Sequence, residues 1–233
     1  MKHQIKAIYD KKAIRIILIL CIYLFDIAFV IGYMYKLKKA GNLLGVSTAS
    51  SHMPDILFQN VMEILPMLFI FVLSMVLMRG QNLKKLDLGI TKKKQLIAVL
   101  VLSLVMIGMA VAAICMHILD AGTILYQLCY YLFFIAFFEE FEYRCLFPAL
   151  LEDKFSNKWV WIIPNLLFGL CHLFSFIGFS EISYEQIFHF LTSDVLGLFV
   201  AGCIFQFIRK KTGTVWIAIL IHAIYDYSGI FLS

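Results

Sequence analysis

Charged residues are scarce in this chain of 233 residues. They make up 15% of it, whereas hydrophobic residues make up 62%, and the mean hydropathy is +0.90. A soluble domain is typically about 45–50% apolar and about 25% charged. The composition therefore excludes an ordinary soluble protein and indicates that most of the chain lies in a lipid bilayer.

Several motifs are also missing. The sequence has no HExxH zinc-protease motif, no CxxC pair, no internal repeat and no low-complexity tract. Its six cysteines all lie in apolar segments, so we expect buried free thiols and neither a disulfide framework nor a zinc site. They are Cys21, Cys115, Cys129, Cys145, Cys171 and Cys203.

Long apolar segments fill nearly the whole sequence. At roughly 20 residues per span, they predict an all-α, polytopic transmembrane helix bundle of seven spans. The sixth span would be broken near Gly197 or Gly202 if there were eight. The predicted spans are 13–34, 55–78, 95–118, 123–150, 158–179, 186–208 and 212–231. No room remains for a soluble catalytic domain, so any chemistry must take place in or beside the bilayer.

The net charge of +5 reflects basic residues at the ends of the apolar segments. If the N-terminus is cytoplasmic, every Lys and Arg falls on the inner side except Lys36, Lys38, Lys39 and Arg144. Such an asymmetry sets the orientation of membrane proteins. It predicts a multi-pass cell-membrane protein with the N-terminus in the cytoplasm and the C-terminus outside, and it predicts no nucleic-acid partner.

The fourth span carries four charged residues, Glu139, Glu140, Glu142 and Arg144. Each would cost roughly 2.5–3.5 kcal/mol at the centre of a lipid-facing helix, so they must face protein or a water-filled cavity. Glu140 and Arg144 are four residues apart and can form an ion pair on one face. Glu139 is turned about 100° away from that pair, and a carboxylate without a local partner is suited to act as a general base.

Two later spans each contribute a histidine. Phe168 and His172 share one face of the fifth span, and His222 and Asp226 share one face of the seventh. Glu139, His172 and His222 each fall near the middle of their predicted span. We therefore expect the three side chains to meet at one depth in one site.

These residues also carry a family resemblance. The segments EEFEYR (139–144), FGLCH (168–172) and HAIYD (222–226) fit the motifs EExxxR, FxxxH and HxxxN/D, in that order on successive spans. In this they resemble the CAAX-protease and bacteriocin-processing (CPBP, or Abi) family of intramembrane endopeptidases. The resemblance covers about residues 123–231. It divides the chain into residues 1–122, about three N-terminal spans, and residues 123–233, a catalytic transmembrane core.

The resemblance implies hydrolysis of a membrane-associated peptide or protein without a cofactor. Glu139, aided by His172, would activate a water molecule, and His222 with Asp226 would stabilise the oxyanion. Glu140 and Arg144 would shape the site, and Phe168 would support it. The chain's partners would be its substrate and the lipid bilayer.

The sequence departs from the family pattern at two of these positions. Glu142 stands where an apolar residue is usual, and it shares much of the face of Glu139, which makes it a second candidate base. Asp226 stands where asparagine is usual, and an ionised aspartate would repel an oxyanion. We therefore expect Asp226 to orient His222 by accepting a hydrogen bond from its ring.

Other interpretations stay open. Glu139, His172 and His222 could instead be the ligands of a zinc-dependent metalloprotease, or the protein could be a non-catalytic bacteriocin-immunity or scaffold protein. The remaining polar residues of the spans are expected to pair locally, to lie near the membrane interfaces or to be structural. They are Asp26, Glu63, His117, His189 and Asp194.

Overall fold

The computed structural model describes residues 12–45, 49, 51–78, 83–173 and 183–232. Within these ranges the secondary structure is helical and no strand is present, which confirms the predicted all-α class. The helices are α1 (Lys12–Lys39), α2 (Met53–Met78), α3 (Lys93–Cys115), α4 (Ala121–Leu151), α5 (Asn157–Cys171), α6 (Tyr184–Thr212) and α7 (Trp216–Phe231).

Five of these helices are long and apolar enough to cross a membrane, namely α1, α2, α3, α4 and α6. The predicted count of seven to eight spans is not confirmed, because α5 and α7 are shorter. Helix α5 ends at Cys171, and most of the rest of the span predicted at 158–179 lies outside the described residues. Helix α6 continues through Gly197 and Gly202, so the break that would have produced an eighth span is not there.

Helix α4 lies at the centre of the bundle. It contacts α2, α5, α6 and α7, while α5 packs along α6 and α3 packs against α7. Every residue of α4 from Phe138 to Leu151 is buried. Its aromatic surface packs on α2, where Phe71 contacts the rings of Phe137, Phe138 and Phe141. The charged segment of the sequence is therefore enclosed by protein, as the energetic argument requires.

Two stretches of α4 are wound as π-helix, Tyr130–Ala136 and Phe141–Leu146. Such wide turns are rare in proteins and often occur at functional sites. Glu139 and Glu140 lie in the short α-helical piece between them, Phe137–Glu140. The local winding of α4 therefore changes at the residues that carry the charges.

The basic connection that precedes α3 is docked onto the end of α6. Arg209 is only 2% exposed, and its Nη2 lies 2.9 Å from Asp87 Oδ2 and donates to the Lys85 carbonyl at 2.7 Å. Its Nη1 donates to the carbonyl of Arg144 in α4. Arg209 thus links this connection to α4, in addition to the role in membrane topology that its charge predicts.

All six cysteines are free thiols, as predicted, but they are not all buried. Cys21, Cys115 and Cys129 are exposed on the helix surfaces, whereas Cys145 is buried. The prediction treated apolar surroundings as protein interior. In a membrane protein, lipid provides the same surroundings for an exposed thiol.

Candidate active site

His222, in the middle of α7, lies between three carboxylates. Its Nδ1 is 3.0 Å from Glu140 Oε1, and its Nε2 is 3.3 Å from Asp226 Oδ2 and 3.7 Å from Glu139 Oε2. Asp226 is one turn along the same helix, whereas the two glutamates belong to α4. Both ring nitrogens of His222 therefore face acids.

Glu140 and Arg144 form the ion pair that their spacing predicts. Arg144 Nε lies 3.4 Å from Glu140 Oε2, and both side chains are fully buried. The guanidinium carbon of Arg144 is 4.2 Å from the ring centroid of Phe168, which is a cation–π arrangement. Arg144 thus balances the charge of Glu140, and Phe168 covers the guanidinium.

The imidazole of His222 is held in place by a ring that sequence reasoning missed. Phe205 of α6 stacks on it with a centroid distance of 4.9 Å and an interplanar angle of 16°. Phe168 meets it edge-on at 6.1 Å. No motif marked Phe205, because one phenylalanine among 22 in an apolar helix gives no sequence signal.

His172 lies at the C-terminal end of α5 and not in the middle of a span, which corrects the prediction. Its Nδ1 is 3.0 Å from the Phe168 carbonyl oxygen. Because a carbonyl can only accept, Nδ1 must carry the proton in this contact. In a neutral imidazole, Nε2 is then the nitrogen that can take a proton.

The predicted catalytic residues line one cavity of about 560 Å³ between α4, α5, α6 and α7. We call it the histidine cavity. Glu139, His172, His222 and Asp226 supply its carboxylates and imidazoles, and Phe168 also lines it. The rest of its wall is mostly apolar and includes Ile135, Leu198, Ala201, Ile204, Phe205 and Ile221. The structure thus brings together the residues that three separate motifs supply.

Glu142 is placed differently from the prediction. It is 2% exposed and does not line the histidine cavity, so it does not share the active face of Glu139. The π-helical winding that begins at Phe141 explains this. A π turn rotates each residue by less than the about 100° of an α-helix, which carries Glu142 further from the direction of Glu139.

Two acids of the first helices also lie beside Glu139. Asp26 of α1 and Glu63 of α2 line a second cavity of about 280 Å³, and Glu139 forms part of its wall. Asp26 is 2% exposed, so it lies inside the bundle and not on its surface. Their presence in apolar spans was the signal that could have identified them.

The other polar residues of the spans lie away from this site. His117 is exposed, and His189 and Asp194 are both exposed, 3.8 Å apart. Neither of the latter two lines the histidine cavity. Their structural interpretation therefore agrees with their positions.

The zinc alternative finds no support in how the described side chains are grouped. In the part of the chain that the structure describes, no three His, Cys, Asp or Glu side chains are grouped as metal ligands. His222 has a carboxylate within 3.3 Å of each ring nitrogen, so each nitrogen has an acceptor for a hydrogen bond. The arrangement instead suits acid–base chemistry by the side chains themselves.

Residues 121–228 match a protein family described as type II CAAX prenyl endopeptidase, Rce1-like. The match begins at the first residue of α4 and ends within α7, so it includes every residue that lines the histidine cavity. Comparison of the chain with curated proteins and with solved structures gives no significant match.

Proposed function

Because residues 121–228 belong to the CAAX-protease family, we propose that this multi-pass membrane protein is an intramembrane endopeptidase that cleaves a membrane-associated peptide or protein. One observation carries the proposal. Glu139, His172, His222 and Asp226, which come from three helices, line one cavity whose other walls are apolar and tyrosine side chains.

In the proposed reaction, Glu139 acts as the general base. It takes a proton from a water molecule whose oxygen attacks the carbonyl carbon of the scissile peptide bond. His172 assists by accepting a hydrogen bond from the same water through Nε2, because Nδ1 is held by the Phe168 carbonyl. Glu139 then returns the proton to the leaving nitrogen, the C–N bond breaks, and an acid and an amine are released.

His222 stabilises the oxyanion in this scheme. Glu140 accepts from Nδ1 at 3.0 Å and fixes the ring, so that Nε2 points toward Glu139 and the cavity. To donate to an oxyanion, Nε2 must also carry a hydrogen, and His222 then acts as an imidazolium. A preorganised donor of this kind stabilises the negative charge that develops in the transition state.

Asp226 supports the ring from the other side. Its Oδ2 lies 3.3 Å from His222 Nε2. Before substrate binds, Asp226 accepts the hydrogen bond from Nε2 that the oxyanion accepts during the reaction. Glu140, which contacts Nδ1, takes the larger part of the orienting role that the sequence predicted for Asp226. Asp226 then secures the second hydrogen of the imidazolium until substrate binds.

The membrane arrangement is part of the proposal. We retain seven spans with the N-terminus in the cytoplasm, because α6 lacks the break that an eighth span would need. Helices α5 and α7 are the short ones that complete the bundle around α4. Their shortness fits a site that must admit both water and a peptide, since irregular or short helices at membrane depth occur where they line a cavity.

Membrane peptidomics of cells that carry either the wild-type protein or Glu139→Gln would test this function. We expect one or more uncut membrane precursors to accumulate in the variant, because loss of a general base lowers the rate about 10²–10⁴-fold. Glu142→Gln is the matched control. It removes a second buried acid of the same helix that does not line the cavity, and we expect it to cleave normally.

Two outcomes would replace the proposal by an alternative. If Glu139→Gln and His172→Ala left both the cellular phenotype and the precursors unchanged, the protein would act as a non-catalytic immunity or scaffold protein. If the purified protein lost its activity in a chelator and regained it with zinc, a metalloprotease mechanism would replace the activation of water by Glu139 alone.

A further inference from the structure

Glu139 lies in the wall between two cavities of different character. On one side is the histidine cavity, and on the other is the second cavity beside Glu139, which we call the acid cavity. Glu139, Tyr130 and Ile135 line both cavities. The proposed base therefore has two separate approaches.

The acid cavity holds a group of polar side chains within a mostly apolar wall. Asp26, Gln59, Asn60 and Glu63 line it from α1 and α2. Asp26 Oδ1 is buried with no hydrogen-bond partner among the described residues, and buried polar atoms are normally satisfied. A volume of about 280 Å³ accommodates several waters at about 30 Å³ each. We therefore expect water beside these polar groups, where it can satisfy Asp26 Oδ1.

A third cavity lies next to the acid cavity, toward the end of the bundle. It measures about 660 Å³ and lies where α1 ends and α2 begins, and we call it the end cavity. Lys36, His52 and Asp55 are among its lining residues. Leu44 and Gln59 line both the end cavity and the acid cavity. The three cavities thus form a series that leads from the bundle end to Glu139.

The wall that the end and acid cavities share is held by a reciprocal pair of hydrogen bonds. The Leu44 amide donates to Gln59 Oε1 at 3.0 Å, and Gln59 Nε2 donates to the Leu44 carbonyl at 3.0 Å. This pair fixes the connection after α1 to α2 beside the passage. Gln59 is therefore the residue at which the passage can be blocked.

We propose that the hydrolytic water reaches Glu139 through the end cavity and the acid cavity, while the peptide occupies the histidine cavity. This inference rests on the function proposed above. The apolar wall of the histidine cavity suits a substrate that arrives from the membrane, but a bound substrate would close that side to water. A separate route past Asp26, Gln59, Asn60 and Glu63 supplies water while the substrate is in place.

Cysteine labelling in lipid nanodiscs tests the route without requiring catalysis. The probe is a trimethylammonium-ethyl methanethiosulfonate, which is charged and reacts with the thiolate, a species that forms only where water reaches. The two test variants are Asn60→Cys and Met67→Cys, which line the acid cavity. Their matched controls are Val61→Cys and Leu68→Cys, the next residues of α2, which are 41% and 42% exposed on the outer surface of the bundle.

Mass spectrometry assigns the label to each thiol, and native Cys21, exposed in the middle of α1, serves as an internal control. We expect labelling at one or both cavity positions at least about tenfold faster than at the neighbouring control. Equal rates at cavity and control positions would overturn the proposal. Using two positions protects the test against a variant that fails to fold.

A second comparison identifies the route. Gln59→Phe places a ring in the wall shared with the end cavity, and Leu198→Phe places one in the wall of the histidine cavity. We expect Gln59→Phe to slow labelling about tenfold or more and Leu198→Phe to leave it unchanged. Labelling that Gln59→Phe does not slow would overturn the route and leave the peptidase proposal standing. If the cavity positions were labelled but the protein had no peptidase activity, the water route would stand and the peptidase proposal would be overturned.

Discussion

Helices α3 and α4 are both apolar enough to span a membrane, yet their surroundings differ. Helix α3 has only four buried residues, Gln95, Met106, Ala110 and Ala113, whereas α4 is buried continuously from Phe138 to Leu151. Of the two helices, α3 is also the more hydrophobic. The more hydrophobic helix is thus the more lipid-exposed one.

This difference has a physical cause. Lipid tails solvate an apolar side chain about as well as protein does, so hydrophobicity does not draw α3 into the bundle. Charged groups differ, because placing them in lipid is costly and they must find partners within the protein. The charges of α4 therefore determine which helix becomes the centre of the fold, and substitutions should be tolerated on α3 and not on α4.

The largest effect on stability is expected for Arg144→Met. This change leaves Glu140, fully buried, without its counter-charge, and breaking a buried ion pair in this way costs about 3–5 kcal/mol. Unfolding by SDS in mixed micelles measures the loss. Lys93→Met, at the exposed start of α3, is the control and should change the free energy of unfolding by less than about 0.5 kcal/mol.

A double variant separates charge from packing at the same position. In Arg144→Met/Glu140→Gln the uncompensated charge is gone, so we expect part of the stability to return relative to Arg144→Met alone. If the double variant were as unstable as the sum of its parts, the loss would come from packing against Phe168, and charge would not explain the burial of α4.

A smaller effect is expected where α6 crosses α4. A methyl group added at Gly202 would lie 2.7 Å from Asn165 Oδ1 and 3.1 Å from Arg144 Nη2, which is too close. Overpacking of this kind costs about 1–3 kcal/mol, so Gly202→Ala should destabilise the protein by that amount in the same SDS experiment.

Two other glycines provide matched controls for Gly202. Gly197 is on the same helix and Gly108 is on α3, and at neither would an added methyl group meet another atom within 4 Å. Because alanine is the better helix former by about 1 kcal/mol, both substitutions should be neutral or stabilising. A loss at Gly108 equal to that at Gly202 would contradict the contrast between the two helices.

The sequence was sufficient to predict the all-α class and the acids and histidines that line the histidine cavity, for the same reason that α4 is central. Four charges within six residues of an apolar helix form a rare pattern that can be recognised in a sequence. The same holds for histidines four residues from Phe168 and from Asp226. It could not predict which apolar residues touch them. Phe205 and Gly202 differ in no sequence feature from their lipid-facing neighbours on α6.

Details of local winding also could not be predicted. The expectation that Glu142 shares a face with Glu139 assumed an α-helix, whereas residues 141–146 form a π-helix. The mid-span position expected for His172 assumed a helix through residue 179, but α5 ends at Cys171. Asp26 and Glu63 were visible as charges, but their approach to Glu139 depends on how α1 and α2 pack, which no spacing within one helix encodes.

A modest effect on activity is expected for Asp226→Asn. Glu140 already fixes the ring of His222 through Nδ1, and an amide oxygen can still accept from Nε2 at the position of Asp226 Oδ2. We therefore expect the rate of precursor cleavage to fall by less than about tenfold, equivalent to about 1.4 kcal/mol. Complete loss of cleavage would show that the carboxylate itself is required and would contradict the supporting role of Asp226.

The smallest effect is expected at the membrane surface, after the end of α4. Asp153 accepts a hydrogen bond from the Lys85 ammonium, which lowers the pKa of Asp153 below its ordinary value of 3.8. A carboxyl whose pKa is lower in the folded state stabilises the protein above the unfolded pKa, and this contribution is lost as the pH falls through the folded pKa. Because the side chain of Asp153 is 54% exposed, the pair contributes only about 0.2–1 kcal/mol.

Asp153→Asn should therefore lower the melting temperature slightly at pH 7, and the difference from wild type should shrink as the pH is lowered from about 5 toward about 2 or as salt is added. A difference that persisted at low pH would mean that Asp153 acts through packing and not through its charge. The buried charges of α4 differ from this pair, because salt screens them much less and added salt should not reproduce the effect of removing them.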